Sequence, residues 1–463
     1  MSAPLIWIFI PFIAAAGFWL LRKKRRLNLI LGASLCLLLF LLTFAFRLDL
    51  PNNLGPVTFQ VSSTFSLLGR RFVLDSSQLP FLRLIYAFLG VWLLGGLIIK
   101  THNYFAPLAF PITALLVAAI AVQPFLYAAL LIETAVLISV PLFVPPGSSI
   151  RQGVLRYVIF QTLAMPFILY AGWASAGTEA NPANERFLLQ AVLLLSLGFS
   201  FWLAVFPFYT WVPKLAEETK IYIFGFVVSL LSLVTLLLGM DFLNTYIWLW
   251  EFPGLAGALR LVGALMVATA GIWVVFEQNL KRVFAYAVII ENGFSLLALG
   301  LHDAMGLEIA VLLFLPHLTT NYLWVLALSS LEEFTEVSIA GVKGLMHSRP
   351  FIVLAILLSC LSVGGLPLLA AFPVRQVLLE NIAQQSLPIV VWALVGSFGL
   401  IFSAFRILAA SIDSDTEGWN VLESWPQRAV LSLGTFFLFL LGFVPRWFYP
   451  GMLRLLDAFD RFR

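Results

Sequence analysis

Long apolar runs recur along this chain from one end to the other, and they commit it to one kind of solvent. Crossing about 30 Å of hydrocarbon as a helix takes roughly 17 to 25 mostly apolar residues. About fourteen such stretches begin near Leu5, Leu27, Leu79, Pro107, Pro124, Val154, Phe187, Ile221, Leu255, Val283, Gly306, Phe351, Leu387 and Arg428;. Only Gln123 and Pro124 separate the fourth stretch from the fifth. The chain is 61% hydrophobic and 11% charged, whereas a soluble domain carries roughly 25% charged residues to cover its core. Lipid is therefore its main solvent, and backbone groups in lipid are satisfied within helices or closed barrels. With runs of this length, the expectation is an all-α integral membrane protein of about fourteen transmembrane helices.

Several function classes fall away on composition and motif. There is no basic face or aromatic–basic stripe outside the spans, so nucleic acid is not an expected partner. Neither of the longer polar connections, near Leu331–Pro350 and near Asp413, holds a glycine-rich phosphate loop, a nucleotide fingerprint or a nucleophile motif;. No catalytic centre and no cofactor of its own are expected. Cys36 and Cys360 sit inside apolar runs without ligand-spaced companions, which reads as two small buried hydrophobes and no metal site;. At the N-terminus the apolar run comes first and Arg22–Arg26 follow, the reverse of a secretory signal;.

The bias of Lys and Arg among short loops sets the orientation. With the N-terminus outside a bacterial plasma membrane, Arg22 to Arg26, Lys100, Arg151, Lys214, Lys220, Lys281, Arg282, Lys343, Arg349 and Arg428 all face the cytoplasm. An even number of spans returns the C-terminus to the outside, with Arg446–Arg463 expected as a short amphipathic segment;. Between the second and third spans, Pro56–Gln78 alternates apolar and polar residues around a Leu-Gly-Arg-Arg turn, which predicts one short external hairpin;.

Two spans carry breaks. In Gly198–Thr219, Pro207 and Pro213 flank an aromatic knot of Phe208, Tyr209 and Trp211. Each proline removes a backbone donor and crowds the preceding turn. Alone, this reads equally well as a helix end with interfacial aromatics. A second break, Gly364, Gly365, Pro367 and Pro373 in Leu361–Gln376, lies five spans later. Paired broken helices at corresponding places point to inverted repeats with an ion site near the midplane. Spans 4–8 and 9–13 would be two inverted five-helix repeats, with helices 7 and 12 broken. The division is then 1–105 for helices 1–3 and the hairpin, 106–240 and 255–411 for the repeats, and 412–463 for the last helix and tail.

An ionisable group at bilayer depth costs at least about 2.5 to 3.5 kcal/mol, so each should face the bundle interior with a partner. Glu133 is mid-span, and alone it is also compatible with a neutralised acid in a packing niche. Glu291 lies mid-span beside Asn292. His317 and Asn321 are four apart on one helix face, near Thr319 and Thr320;. A lone His there is as often a hydrogen-bonded core residue as a relay, but its polar companions suggest a hydrated track. Arg375 and Arg406 keep their charge near neutral pH and are expected to pair with carboxylates or to hold water.

The run Gly198–Pro213, GFSFWLAVFPFYTWVP, resembles the seventh-helix signature of the antiporter-like subunits of respiratory complex I (NADH-quinone oxidoreductase subunits L, M and N) and of Mrp cation/proton antiporters. Asn279–Phe294, Gly364–Arg375 and Phe72–Phe81 resemble further motifs of that family, in the same order, across about two thirds of the chain. The resemblance implies fourteen helices with the repeats and breaks described above. With no room for a lateral helix after the last span, it is nearest the M, N or Mrp-D type. It also implies other membrane subunits as partners, and protons or monovalent cations as cargo. Glu133 matches the family's fifth-helix Glu and His317 its eleventh-helix His. The seventh- and eighth-helix lysines fall on Trp202 and Leu233, a histidine falls on Tyr209, the tenth-helix His on Glu291, and the twelfth-helix Lys or Glu on Arg375. The implied function is a membrane subunit of a complex I-like energy-converting complex, derived from an antiporter, with a degenerate proton channel. An Mrp-type antiporter subunit and a non-conducting structural or coupling subunit are the alternatives.

Overall fold

The computed structural model describes residues 2–54, 57–67, 69–180, 185–413 and 420–459. After an opening turn at Leu5–Phe9 the helices are α1 (Ile10–Leu20), α2 (Arg25–Ala45), α3 (Leu79–Ile98), α4 (Phe105–Ala121), α5 (Ala128–Phe143), α6 (Gln152–Ala180), α7 (Glu185–Trp202), α8 (Trp211–Glu218) and α9 (Ile221–Thr245). They continue as α10 (Ile247–Trp250), α11 (Leu255–Phe276), α12 (Leu280–Leu299), α13 (Ala304–Glu332), α14 (Pro350–Gly364), α15 (Phe372–Gln385), α16 (Leu387–Ile412), α17 (Trp425–Phe443) and α18 (Tyr449–Leu453). The chain is an all-α membrane protein. Among the described residues ten helices are long and apolar enough to cross a bilayer, or eleven with α14 and the segment that meets it at 117°. Three shorter apolar helices, Leu5–Leu20, Phe105–Ala121 and Arg186–Trp202, fall short of that length.

The chain divides into two compact units. The first comprises Met1–Leu203, Leu230–Trp250 and Asp457–Arg461. Here α2 packs on α3, α4 on α1 and α5, and α6 on α7. Nearly all of α4 is buried, and its Phe110 stacks on Phe18 at 4.7 Å. A Cβ at Gly32 would lie 3.1 Å from the Phe110 ring, so glycine there lets α2 approach it. Cys36 is buried in this unit and Cys360 in the other, as expected of small hydrophobes.

The segment between α2 and α3 departs from the single expected hairpin. Strands β1 (Pro51–Leu54) and β2 (Val57–Gln60) pair antiparallel, β3 (Thr64–Leu67) pairs with β4 (Arg70–Val73), and β5 (Val122–Gln123) extends β4 between α4 and α5. The alternation continues through both pairs, but Val61 and Ser62 bridge to Leu48 and Ser2 instead. Asp49 also takes the Ser63 amide at 2.9 Å. These long-range partners divide one periodic stretch into two ladders.

The second unit comprises Ala204–Ser229, Glu251–Leu456 and Phe462–Arg463. Every residue of α12 from Val283 to Leu299 is buried, the mark of a helix enclosed on all sides;. Around it pack α8, α11 and α13, and α16 lies on α11 and α14. The α11–α16 crossing is backbone to backbone: a Cβ on Gly271 would lie 2.3 Å from Gly396.

Candidate functional site

Both expected breaks are present. Helix α7 stops at Trp202, the chain passes through Ala204 at φ 51° and then Pro207, and a short turn at Phe208–Thr210 leads into α8. Pro213 is the third residue of α8, in the first turn, where its missing donor would have no intrahelical partner anyway;. The later break runs from α14, whose last residue is Gly364, through Gly365 at φ 81°, Pro367 and Leu368 at φ 74° to α15. Pro373 stands in the first turn of α15. Glycine takes the left-handed region at Gly365 without a Cβ penalty, whereas Ala204 and Leu368 hold it only because the surrounding fold demands it.

The second unit gathers polar side chains beside the later break. On α12, Glu291 and Phe294 are three apart and share a face;. Asn321 of α13 donates Nδ2 to Glu291 Oε2 at 2.8 Å. His317, one turn earlier on α13, and Asn292, beside Glu291, are buried as well. From α15 Arg375 reaches back: its Nη1 donates to the Val363 carbonyl, and its guanidinium lies 4.0 Å over the Phe294 ring. Phe294 shares its helix face with Glu291, so the guanidinium stands on the Glu291 side of α12;. A hydroxyl pair, Thr320 with Ser362 at 3.3 Å, joins α13 to α14.

Four buried atoms of this cluster have no hydrogen-bond partner among the described residues: His317 Nε2, Asn321 Oδ1, and Arg375 Nε and Nη2. Leaving such an atom dry costs roughly 1–3 kcal/mol. Buried water ordinarily satisfies groups of this kind when two to four polar partners surround it. The cluster thus combines a carboxylate, a fixed cation, an imidazole and an amide among buried side chains.

Among the described residues the protein partners of Arg375 and Arg406 are backbone carbonyls, not carboxylates. Val363 sits at the C-terminal end of α14, and Arg406 donates to the carbonyls of Val275 and Glu277 at the end of α11. A helix end leaves its last four carbonyls without intrahelical donors and carries partial negative charge, so a guanidinium is well placed there.

The first unit positions its residues differently. Glu133 on α5 is half-buried; its Oε1 accepts from Thr162 Oγ1 of α6 at 2.8 Å, while Oε2 has no partner. Gln161 reaches the Trp202 carbonyl at 3.4 Å. Trp202 itself is buried edge-on against Phe199 at 5.5 Å, and Leu233 is buried on α9. Tyr209 belongs to the second unit, where it meets Tyr286 of α12 edge-on at 6.4 Å.

One set of residues that motif reading passed over is an ion-pair network in the second unit. Glu332, the last residue of α13, takes Lys281 at 2.6 Å and Lys220 at 3.8 Å, and Lys281 also donates to the Thr219 carbonyl at 3.1 Å. Arg282 pairs with Glu277 at 2.7 Å and Glu217 at 3.8 Å. Burial holds the Glu277 carboxyl above its ordinary range, against the opposing pull of Arg282. Only the helical spacing of Lys214 with Glu217 and Glu218 was legible beforehand;.

Two broken helices and a buried acid–amide–guanidinium cluster define a membrane protein built on the plan of ion-translocating antiporters. The chain belongs to the NADH:quinone oxidoreductase/Mrp antiporter transmembrane family, whose model matches residues 167–403. NADH-quinone oxidoreductase subunit N of Nitrosomonas europaea is 22% identical over 328 residues, covering 64% of this chain and 65% of that protein. The chain thus spans a little under two thirds of that relative. NADH-quinone oxidoreductase subunit 14 of Thermus thermophilus is 24% identical over 472 residues, 98% of this chain and 99% of that one. Among solved structures, a chain of respiratory complex I from Thermus thermophilus superposes with a TM-score of 0.77 at 20% identity, covering 99% of each chain. A chain of an archaeal membrane-bound sulfane sulfur reductase gives 0.79 at 16%, covering 100% of this chain and 99% of that one. A chain of the Mrp complex of a Dietzia species gives 0.78 at 13%, covering 99% and 98%. Likeness at these identities concerns the fold, and it is nearly equal for three different complexes.

Proposed function

We propose that this chain is a membrane subunit of a complex I-like, NADH/quinone oxidoreductase-related energy-converting complex, descended from a proton/cation antiporter. In this reading the first unit no longer carries protons, and the second keeps a proton-handling cluster. The observation that carries it is the contrast between Glu291, bonded to Asn321 near Arg375, and the buried apolar Trp202 and Leu233. A carboxyl and an imidazole are side chains that can bind and release a proton, a guanidinium keeps its charge, and tryptophan and leucine cannot hold a proton. The lipid bilayer and neighbouring membrane subunits are its partners. Its place is the bacterial plasma membrane with both termini outside, and redox centres belong to other subunits.

The test is proton translocation by the purified host complex in vesicles. Glu291→Gln lowers it by about a hundredfold, the scale lost when a positioned proton carrier is removed, while Glu133→Gln leaves it within about twofold of the parent. Loss in Glu133→Gln alone sinks this reading. The burial of Trp202 and Leu233 also favours a second reading, a non-conducting coupling subunit, which predicts unchanged flux in both variants with assembly intact. Acidification by the chain alone on a sodium or potassium gradient would instead identify an Mrp-type exchanger.

A further inference from the structure

We infer that the basic stretch Arg22–Arg26, the turn after α1 together with the first two residues of α2, is a binding site for the phosphate headgroup of an anionic phospholipid. Five consecutive cations stand there, and among the described residues none of them is ion-paired with a carboxylate. Two are already oriented. Arg22 lies against the rings of Trp19 and Tyr104, 4.8 and 5.9 Å from their centroids, and Arg25 Nη1 donates to the Ile99 carbonyl at 2.8 Å. The turn is anchored from below by Asn28, which is buried and donates to the Phe18 carbonyl at 3.0 Å. Two loops, 21–24 and 99–104, therefore hold the guanidinium groups in fixed directions, while Lys23, Lys24 and Arg26 remain exposed.

Beneath this charge the surface is apolar and open. Leu20 is 83% exposed, and Trp19, Leu27, Ile30 and Leu31 are exposed as well. The ligand that uses both features has an anion at one end and acyl chains at the other. A soluble anion would use only the charge, and an acidic protein segment would leave the greasy flank uncovered. Basic clusters next to a membrane helix attract anionic lipid, each residue near the surface contributing roughly a fivefold gain in affinity. The inference does not depend on which ion the chain moves.

The test is native mass spectrometry of the protein, in whatever complex it purifies, extracted from nanodiscs of phosphatidylcholine containing phosphatidylglycerol. Phosphatidylglycerol should be retained in preference to phosphatidylcholine. Arg22→Gln with Arg25→Gln should weaken that retention by about 25-fold, two residues at roughly fivefold each. Lys23→Gln with Lys24→Gln, which disturbs no contact, should weaken it in the same direction, and Lys343→Gln should not change it. Equal retention of both lipids overturns the inference, as does unchanged retention in both double variants. Displacement of the lipid by millimolar inorganic phosphate, or crosslinking of the turn to an acidic neighbouring subunit, overturns it as well.

Discussion

At residues 203–210, and again at 365–371, an apolar helix stops, the chain passes through a non-glycine residue in the left-handed region, and a proline-bearing first turn begins the next helix. The later break is furnished with charge: Arg375 spans it to the Val363 carbonyl, and Glu291 and Asn321 stand beside it. The helix entering the earlier break ends in buried Trp202 with an aromatic neighbour. In the first unit Glu133 has a hydroxyl for a partner rather than a cation. The same backbone device thus serves two chemistries. Pro and Gly free backbone groups wherever they interrupt a helix, but whether those groups meet charge depends on the side chains brought to them.

The comparison can be broken most forcefully at Arg375. Replacing it by Leu removes the donor to the Val363 carbonyl and the cation over Phe294, one turn from Glu291, and should cost roughly 3–5 kcal/mol of stability, with part of it regained when Glu291→Leu is added;. Equilibrium unfolding in mixed micelles measures this, and equal stability of single and double variants would show that the two charges do not act on each other. Next, Asn321→Leu removes a hydrogen bond to a buried acid and should cost roughly 1.5–3 kcal/mol. A loss below half of that would mean that water or a neighbour replaces the amide. At the helix crossing, Gly271→Ala drives a Cβ into Gly396 and should cost roughly 1–3 kcal/mol;. In the first unit Gly239→Ala meets only the Phe199 ring at 3.5 Å and should be neutral or slightly stabilising;. Similar melting shifts for the two alanine variants would erase the distinction. Smallest of all, Glu133→Gln keeps an acceptor for Thr162 and should move stability by no more than about 0.5 kcal/mol. A larger loss would reveal a charged partner for Glu133.

Much of the site could be read before any coordinates. The pairing of His317 with Asn321 on one face follows from their spacing, and Gly364, Gly365 and Pro367 mark the later break because no side-chain context alters their backbone limits. The partners of the arginines could not be read. Carboxylates or water were expected for Arg375 and Arg406, and both donate to carbonyls at a helix end, as does Arg25. Nothing in local sequence says which helix end will lie within reach. Likewise, Lys220, Lys281 and Arg282 read only as loop charges until Glu332, Glu277 and Glu217 were brought to them.

The sequence by itself determined the solvent, the helices and the places where two of them stop. Apolar run length, proline and glycine act on the few residues around them, and lipid leaves the backbone no other way to bond. The tertiary structure decided which charges became companions. Asn321 lies 30 residues from Glu291, and Ile99 lies 74 from Arg25, distances over which sequence carries no geometric information. Only the packing of whole helices fixes those encounters, because a buried polar group is stable where the fold delivers its partner and costly everywhere else.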